Sequence, residues 1–311
     1  MLSRVAEHLY WMARYAERAE NSARLVNVNT HLLLDLPRGT RFGWEPLIDI
    51  TGNDALFNEL YPSHDERSVV KFLLADTRHP GALLNSLQQA RENARTVRDI
   101  IPREAWEQVN DLYLSTKAQL PQALARARRY DFLKGVISGV QLLTGLLAGT
   151  MSHDAGYSFI RLGRNLERGD MTTRIIDVRS ATLLPEAGGE LPPFESIQWM
   201  SVLKSLSAYQ MYRRLQQVRV QRGPVLNFLL QDRAFPRAFY HCLCEVQGCL
   251  QDLPQGEPAL RVVTHLQRVV RDANPEHLDQ QALHALMDTL QLGLGDVHEQ
   301  IRQRYFIGRS E

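Results

Sequence analysis

The chain carries one charged helical pattern twice, at an offset of 150 residues. The first copy is YWMARYAERAENSARLVNV and the second is FIRLGRNLERGDMTTRIIDV. A duplicated core helix needs to keep only its apolar stripe, whereas here the charges also recur in order. The repeated positions are Arg14, Glu17, Arg18, Glu20, Arg24, Asn27 and Val28, which correspond to Arg164, Glu167, Arg168, Asp170, Arg174, Asp177 and Val178.

The repeated charges share a helix face with residues typical of a core. At about 100° per residue, one side of the first copy carries Tyr10, Arg14, Glu17, Asn21, Arg24 and Val28. Buried charges persist only when they are paired and hydrogen-bonded, and arginine suits bidentate pairing with a carboxylate. The pattern therefore predicts two equivalent helices that face each other around a polar centre. The alternative is a structural salt-bridge network, or ordinary surface pairs at helical spacing.

Two further segments add candidate anion-binding residues. His153 and Asp154 precede the second charged helix, whose positive dipole end favours an anion, although a simple helix cap explains them equally well. Arg91, Arg95 and Arg98 lie along one side of a shorter echo of the repeat. That side is either a solvated face or a further wall of a cationic pocket.

Helical periodicity dominates the chain, so the fold class is all-α, a helical bundle with an internally duplicated Arg-Glu-Arg helix. We expect one domain over 1–311, with a possible lobe boundary in the turn-rich segment 184–193. Ser63 and Glu66 form a capping-box pattern. Four prolines stand where first-turn prolines would, namely Pro102, Pro224, Pro236 and Pro275. The helices are predicted at 3–35, 66–76, 80–99, 102–129, 131–151, 155–180, 194–218, 224–231, 236–252, 257–273 and 277–304.

Composition narrows the function classes. Thirty-six basic against 35 acidic residues argue against nucleic-acid binding as the main task. The apolar segment 135–151, with its Gly145-x-x-x-Gly149 spacing, is too short and too polar for a confident membrane span and is interpreted as a central packed helix. A charged N-terminal segment does not fit a secretion signal, so a cytoplasmic location is expected.

No familiar cofactor motif is present. The phosphate-wrapping and dinucleotide-binding glycine patterns are missing, so no intrinsic nucleotide cofactor is expected. The spacing of Cys242, Cys244 and Cys249 does not converge on one helix face, and no metal site is expected.

Three blocks of the sequence together resemble the bacterial alpha-E domain family. They are LSRVAEHLYWMARYAERAENSARLVNVN, ENARTVRDIIPREAWEQVN and GTMSHDAGYSFIRLGRNLERGDMTTRIIDV. The resemblance spans essentially the whole chain and implies a helical domain with Glu-Arg motifs at Glu17-Arg18 and Glu167-Arg168. It also implies partners, namely circularly permuted ATP-grasp proteins and transglutaminase-like proteins, in systems that make, modify or cleave peptide-like amides. Gly169 departs from the alanine more usual in the family, which weakens the second helix by about 1 kcal/mol.

The resulting hypothesis is a component of an ATP-grasp-linked system that acts on an acidic, peptide-like substrate, either as a catalytic subunit or as a substrate-positioning one. ATP and Mg²⁺ are expected on the partner. Glu17 and Glu167 orient the arginines or act as acid and base. The alternative is a non-catalytic adaptor whose charged helices are an internal buttress. The expected substrate-binding residues are Arg14, Arg18, Arg24, Arg164, Arg168, Arg174, Asn21, Asp170, His153 and Arg95.

Overall fold

The computed structural model describes residues 2–35, 43–181, 195–216 and 219–307. This described part contains fourteen α-helices and a final π-helical turn, with no strand, and the all-α prediction is confirmed. The helices are α1 (Ser3–Asp35), α2 (Glu45–Thr51), α3 (Asp54–Leu60), α4 (Glu66–Ala75), α5 (Leu83–Thr96), α6 (Arg103–Ala123), α7 (Arg126–Thr150), α8 (Ala155–Ala181), α9 (Glu195–Ser205), α10 (Tyr209–Gln216), α11 (Arg222–Gln231), α12 (Phe239–Asp252), α13 (Glu257–Asp272) and α14 (Gln280–Ile301), followed by the π-helical turn Arg302–Phe306.

The chain divides into two compact units whose border falls inside α8. Unit 1 comprises Met1–Arg164 and Tyr305–Glu311, and unit 2 comprises Asn165–Arg304. The lobe boundary predicted at 184–193 lies outside the described residues. A single domain over the whole chain remains a prediction.

Unit 1 is built around the long first helix. α1 packs against α4, α5 and α7, while α6 packs against both α5 and α7. A hydrogen bond of 2.8 Å between His8 Nδ1 and Asn93 Oδ1 joins α1 to α5. The α1 residues Leu9, Tyr10 and Met12 are fully buried. The first charged copy therefore sits on the central helix of this unit.

In unit 2, α12 packs on α13 and α13 packs on α14. α11 contacts α9, α12 and α13. Trp199 and Phe239 are fully buried within it. Thr172 of α8 donates a hydrogen bond of 2.9 Å to the carbonyl oxygen of Arg237, which ties the second charged copy to the residues that precede α12.

Several predicted helix boundaries are wrong for local reasons. The segments that form α2 and α3 were not predicted as helices. The predicted helix 194–218 is broken at Ser207, whose φ of 54° cannot continue a right-handed helix. Pro236 and Pro275 do not open helices, since α12 begins at Phe239 and α14 at Gln280.

The N-terminus of α4 is capped by Asp65 rather than by Ser63. The Asp65 side chain accepts a hydrogen bond of 2.9 Å from the backbone N–H of Ser68. The hydroxyl of Ser63 donates to the same carboxylate at 2.6 Å. The predicted capping box is therefore wrong in its cap residue, because aspartate three positions before Ser68 reaches the free N–H directly.

The interpretation of α7 as a central packed helix is also wrong for its glycine face. Added Cβ atoms at Gly135, Gly145 and Gly149 would meet nothing within 4 Å, so these glycines face open space in the described structure. The opposite face is buried through Phe132 and Leu133. By length and composition α7 is apolar enough to cross a membrane, and a third of its most apolar stretch is buried. Only one face of α7 is buried. The small residues lie on the opposite face, where they leave no unfilled space in the core.

The two charged helices approach each other closely within unit 1. A methyl group at Gly163 of α8 would overlap the backbone carbonyl of Tyr10 in α1 and press on the Arg14 side chain. Nearby, a methyl group at Gly156 would lie 3.2 Å from Leu9 Cδ1, a tight contact with a side chain and not with backbone. The predicted packing of α1 against the start of α8 is therefore present, with backbone contact that only glycine permits.

We expect Gly163→Ala to lower the free energy of unfolding by about 1–3 kcal/mol, because backbone and not a flexible side chain occupies the space. Urea unfolding followed by circular dichroism measures it. Gly145→Ala is the matched control, since it faces open space on a helix. That control should leave stability unchanged or raise it by about 0.5–1 kcal/mol. Equal effects at both positions would contradict the close approach.

Candidate functional site

The two charged copies share a burial pattern as well as a sequence pattern. Seventeen of the twenty positions 11–30 have the same degree of burial as their counterparts at 161–180. Glu17 and Glu167 are 2% and 3% exposed, and the arginine that follows each is half-buried. Charge and environment thus recur together, as two equivalent helices require.

One ion pair recurs at the same offset. In α1, Arg24 donates to Oε1 of Glu20 through Nε at 2.9 Å and through Nη2 at 2.6 Å. In α8, Arg174 Nε donates to Oδ2 of Asp170 at 2.8 Å. Both pairs span one helical turn and lie partly out of solvent, where a charge-assisted hydrogen bond is stronger than at an open surface. The carboxylate in each copy holds its arginine in a defined orientation.

Glu17 and Arg164 line the same small cavity in unit 1, one from each copy of the repeat. The cavity has a volume of about 20 Å³, which is room for a single water molecule. Ala13 of the first copy and Ile160 of the second also border it. At the 150-residue offset, Ala13 corresponds to Gly163 and Ile160 corresponds to Tyr10. Glu17 and one arginine of the second copy therefore border the same cavity, while their predicted pairing stays a prediction. The remaining lining residues are Met12, Ala16, Val140, Leu143, Thr144 and Leu147.

The other arginines of the first copy rest on aromatic rings. The Arg14 guanidinium lies 5.2 Å from the ring centre of Trp11, and its Nη1 donates to the Tyr10 hydroxyl at 3.3 Å. Arg18 lies 5.5 Å from the ring centre of Tyr15. Arginine is favoured over lysine in such positions because its planar cation stacks on aromatic faces.

The remaining predicted residues of the two helices are buried to the same degree as their counterparts. Asn21 is 2% exposed and its counterpart Met171 is 6% exposed, while Arg168 and its counterpart Arg18 are both half-buried. The carbonyl oxygen of Arg168 accepts a hydrogen bond from the Thr172 hydroxyl at 3.0 Å. The substrate-binding role of these residues stays a prediction.

The start of α8 is occupied by its own cap. Asp154 Oδ1 accepts from the backbone N–H of Gly156 at 2.8 Å and from that of Tyr157 at 3.3 Å. His153 is exposed, stacks on the Tyr157 ring at 4.1 Å and contacts the carbonyl oxygen of Ala148. Of the two interpretations of this pair, the geometry favours the helix cap, because an incoming anion would compete with a carboxylate already in place.

The echo of the repeat on α5 is a solvated face. Arg95 is 59% exposed and pairs with Glu92 at 2.9 Å. Arg98, beyond the end of α5, is 63% exposed. Arg91 pairs with Glu92 and packs over the rings of Trp106 and Tyr113. These arginines are matched by a local carboxylate and by aromatic surface.

A buried histidine in the turn between α4 and α5 was not predicted as a functional residue. His79 is 1% exposed and its ring stacks on Phe72 with centres 4.3 Å apart. Burial lowers the pKa of His79 to about 4, against the opposing effect of Asp76, and the positive charge of Arg18 lowers it further. Asn85 fixes the turn by donating to the carbonyl oxygens of Asp76, Thr77 and His79, the last at 2.8 Å.

The same turn contains Asp76, a carboxylate whose pKa is strongly lowered. Asp76 accepts hydrogen bonds from Arg78 Nε at 3.0 Å, from Arg78 Nη2 at 2.8 Å and from the Tyr61 hydroxyl at 2.6 Å. These donors, with Arg78 first, hold the pKa of Asp76 far below its usual range. The only sequence signal for this arrangement is an Asp, an Arg and a His placed just before Pro80-Gly81, at a break between helices.

Among the described residues, one group could present three metal ligands: Asp177, His284 and Asp288. His284 Nδ1 lies 2.8 Å from Asp177, while its Nε2 faces Asp288 at 3.5 Å. The two ring nitrogens point in opposite directions, so they serve the two carboxylates separately rather than a common ion. Hydrogen bonding to Asp177 raises the pKa of His284. Cys242, Cys244 and Cys249 lie outside this group, and Cys242 and Cys249 are buried.

Comparison with known proteins identifies relatives along the whole chain. A family model described as Alpha-E, a predicted alpha-helical domain with a conserved ER motif, matches residues 1–306. An uncharacterized protein of Mycobacterium bovis is 26% identical over 320 residues, covering 96% of this chain and 36% of its own length. Uncharacterized proteins from two strains of Mycobacterium tuberculosis match to the same extent. The chain thus spans about a third of the length of these relatives, and no solved structure matches it.

Proposed function

Because the chain belongs to the alpha-E family of helical domains, we propose that it is a component of an ATP-grasp-linked system that forms or modifies peptide-like amide bonds. The mycobacterial relatives extend far beyond the matched region, which fits a domain that works beside other domains. In this proposal the partner is a circularly permuted ATP-grasp protein that holds ATP and Mg²⁺. A transglutaminase-like protein is a second candidate partner, and the system operates in the cytoplasm.

Within that system we assign the chain a substrate-positioning role for an acidic, peptide-like molecule. The observation that carries this role is the recurrent pair of a carboxylate and an arginine one helical turn later, Glu20 with Arg24 and Asp170 with Arg174. A guanidinium held by a neighbouring carboxylate is pre-organised, so less rotamer entropy is lost when it grips a ligand. Fixed arginines are well suited to bidentate recognition of carboxylates.

The glutamates of the Glu-Arg motifs are better suited to orienting arginines than to proton transfer. Glu17 is 2% exposed and borders a cavity of about 20 Å³, which gives a substrate no room beside it there. Glu167 is 3% exposed. We therefore propose that Glu17 and Glu167 orient arginines, and that the half-buried arginines of each copy contact a ligand.

The alternative function, a non-catalytic adaptor with an internal charged buttress, is favoured by one observation. Seven of the residues around the cavity shared by Glu17 and Arg164 are apolar: Met12, Ala13, Ala16, Val140, Leu143, Leu147 and Ile160. Such walls suit a permanently buried ion-pair network. In that case the exposed surface docks the ATP-grasp partner and the arginines have no ligand.

Reconstitution with the proposed ATP-grasp partner separates the two functions. The assay measures ATP-dependent coupling of amino acids or acidic peptides, with and without this chain. Arg174→Gln, whose side chain is one-third exposed, should lower kcat/KM for the acidic substrate by about 10–100-fold, the range for losing a charge-assisted hydrogen bond.

Arg268→Gln is the matched control, because it removes one exposed cation from a helix of the same unit. It should leave kcat/KM within about twofold of the wild type. Full activity of Arg174→Gln would leave the adaptor as the better account. Coupling that proceeds unchanged without this chain would overturn both functions.

A further inference from the structure

A second cationic site lies in unit 1, where the N-terminus of α4 meets the junction of α6 and α7. It is a cleft of about 530 Å³, a volume within the range of small-molecule binding sites. None of its lining residues belongs to the repeated motif. They are Glu66, Arg67, Lys71, Leu124, Arg126 and Arg129.

Arg129 is a buried, pre-organised donor in this cleft. It is 3% exposed, and its guanidinium lies 6.0 Å from the ring centre of Trp44. Nη1 donates to Glu66 at 2.7 Å, Nη2 to the carbonyl oxygen of Leu124 at 3.2 Å, and Nε to that of Ala123 at 3.4 Å. A guanidinium carries five N–H donors, so two of them are left for a ligand in the cleft.

The cleft has an excess of positive charge. Glu66 neutralises Arg129, while Arg67, Lys71 and Arg126 line the same space and form no ion pair among the described residues. The Lys71 ammonium lies 5.9 Å from the ring centre of Tyr61, a contact that leaves its charge uncompensated. Three unmatched cations around one cleft favour a multiply charged anion, because their mutual repulsion falls when it binds.

We propose that this cleft binds a small molecule that carries a phosphate or pyrophosphate group. Phosphate oxygens accept several charge-assisted hydrogen bonds at once, which matches two fixed N–H groups of Arg129 and three flexible cations around them. A single carboxylate neutralises only one of the three. Leu124, which is 36% exposed, offers an apolar contact for the remainder of the molecule. The site is independent of the proposed substrate role of the repeated helices.

Isothermal titration of the full chain with inorganic pyrophosphate tests the site. Saturable binding at one site per chain is expected. Arg126→Gln and Lys71→Gln should each weaken binding by about tenfold, the effect of removing a charged donor. Arg128→Gln is the matched control, because this exposed arginine lies two residues from Arg126, outside the lining, and donates to Gln122 instead. It should change the affinity by less than about twofold.

Two results of these titrations would overturn the proposal. The first is the absence of saturable pyrophosphate binding. The second is an equal loss of pyrophosphate affinity in Arg126→Gln and Arg128→Gln, which would mean attraction to general surface charge. Tricarballylate, a tricarboxylate, distinguishes the class of anion. If it binds as tightly as pyrophosphate, the phosphate assignment is wrong. Circular dichroism of each variant ensures that a loss of binding reflects the cleft and not unfolding.

Discussion

Glu17→Gln should lower the free energy of unfolding by about 3–5 kcal/mol, the cost of removing the charge of one partner from a buried charged network. Glu17 is 2% exposed and shares its cavity with Arg164. The amide keeps the size and part of the hydrogen-bonding capacity of the carboxylate, so the loss reports the missing charge. Chemical denaturation measures this loss of stability, provided that wild type and variant have the same dependence of the free energy of unfolding on denaturant concentration.

Glu107→Gln is the control for this substitution. Glu107 is 52% exposed and pairs with Arg103 on the surface of α6, so its loss should change stability by less than about 1 kcal/mol. Glu167→Gln should behave like Glu17→Gln if the two copies are equivalent. A stable Glu167→Gln variant that loses about 100-fold or more in the reconstituted activity would contradict the positioning role and make this residue an acid or base.

Acidification from pH 7 to pH 4 should cost about 3 kcal/mol of stability through His79 alone. The folded pKa of about 4 lies below the ordinary value of 6.5, chiefly because burial disfavours the charged ring. As the pH falls between these two values, the unfolded chain takes up a proton that the folded chain does not. The stabilisation is therefore complete above pH 6.5 and is lost toward pH 4.

His79→Phe isolates this effect, because phenylalanine can keep the stacking on Phe72 and does not titrate. The free energy of unfolding of this variant should fall less steeply between pH 6.5 and pH 4 than that of the wild type. Identical pH slopes would show that His79 is not buried in its neutral form. The wider acid sensitivity from Asp76, whose pKa is lowered mainly by Arg78, sets in at lower pH and is common to both proteins.

The accuracy of the predicted helices follows the strength of their local signals. α1 has the predicted bounds of 3–35, and α8 extends one residue beyond its predicted end. Long periodic segments specify a helix by themselves. The seven-residue helices α2 and α3 were missed, because so few residues give no clear period and their helical state depends on buried contacts of Leu47, Ile48 and Phe57.

The candidate site was only partly accessible from the sequence. The order of charges in the repeat was enough to expect Glu17 near an arginine of the second copy, and Glu17 and Arg164 do line the same cavity. The burial of His79 and of Arg129 had no comparable signal. A lone histidine or arginine in a turn or at a helix start is usually exposed, and its burial depends on which helices cover it.

The sequence by itself determined the all-α class, the two charged helices and the order of their charges, because these follow from periodicity and spacing within one helix. Only the tertiary structure decided which charges are buried, that Gly163 admits the backbone of Tyr10, and that Arg67, Lys71, Arg126 and Arg129 meet in one cleft. These features join residues far apart in the chain. Their energies come from desolvation and close contact, which depend on what packs around a side chain and not on its neighbours in sequence.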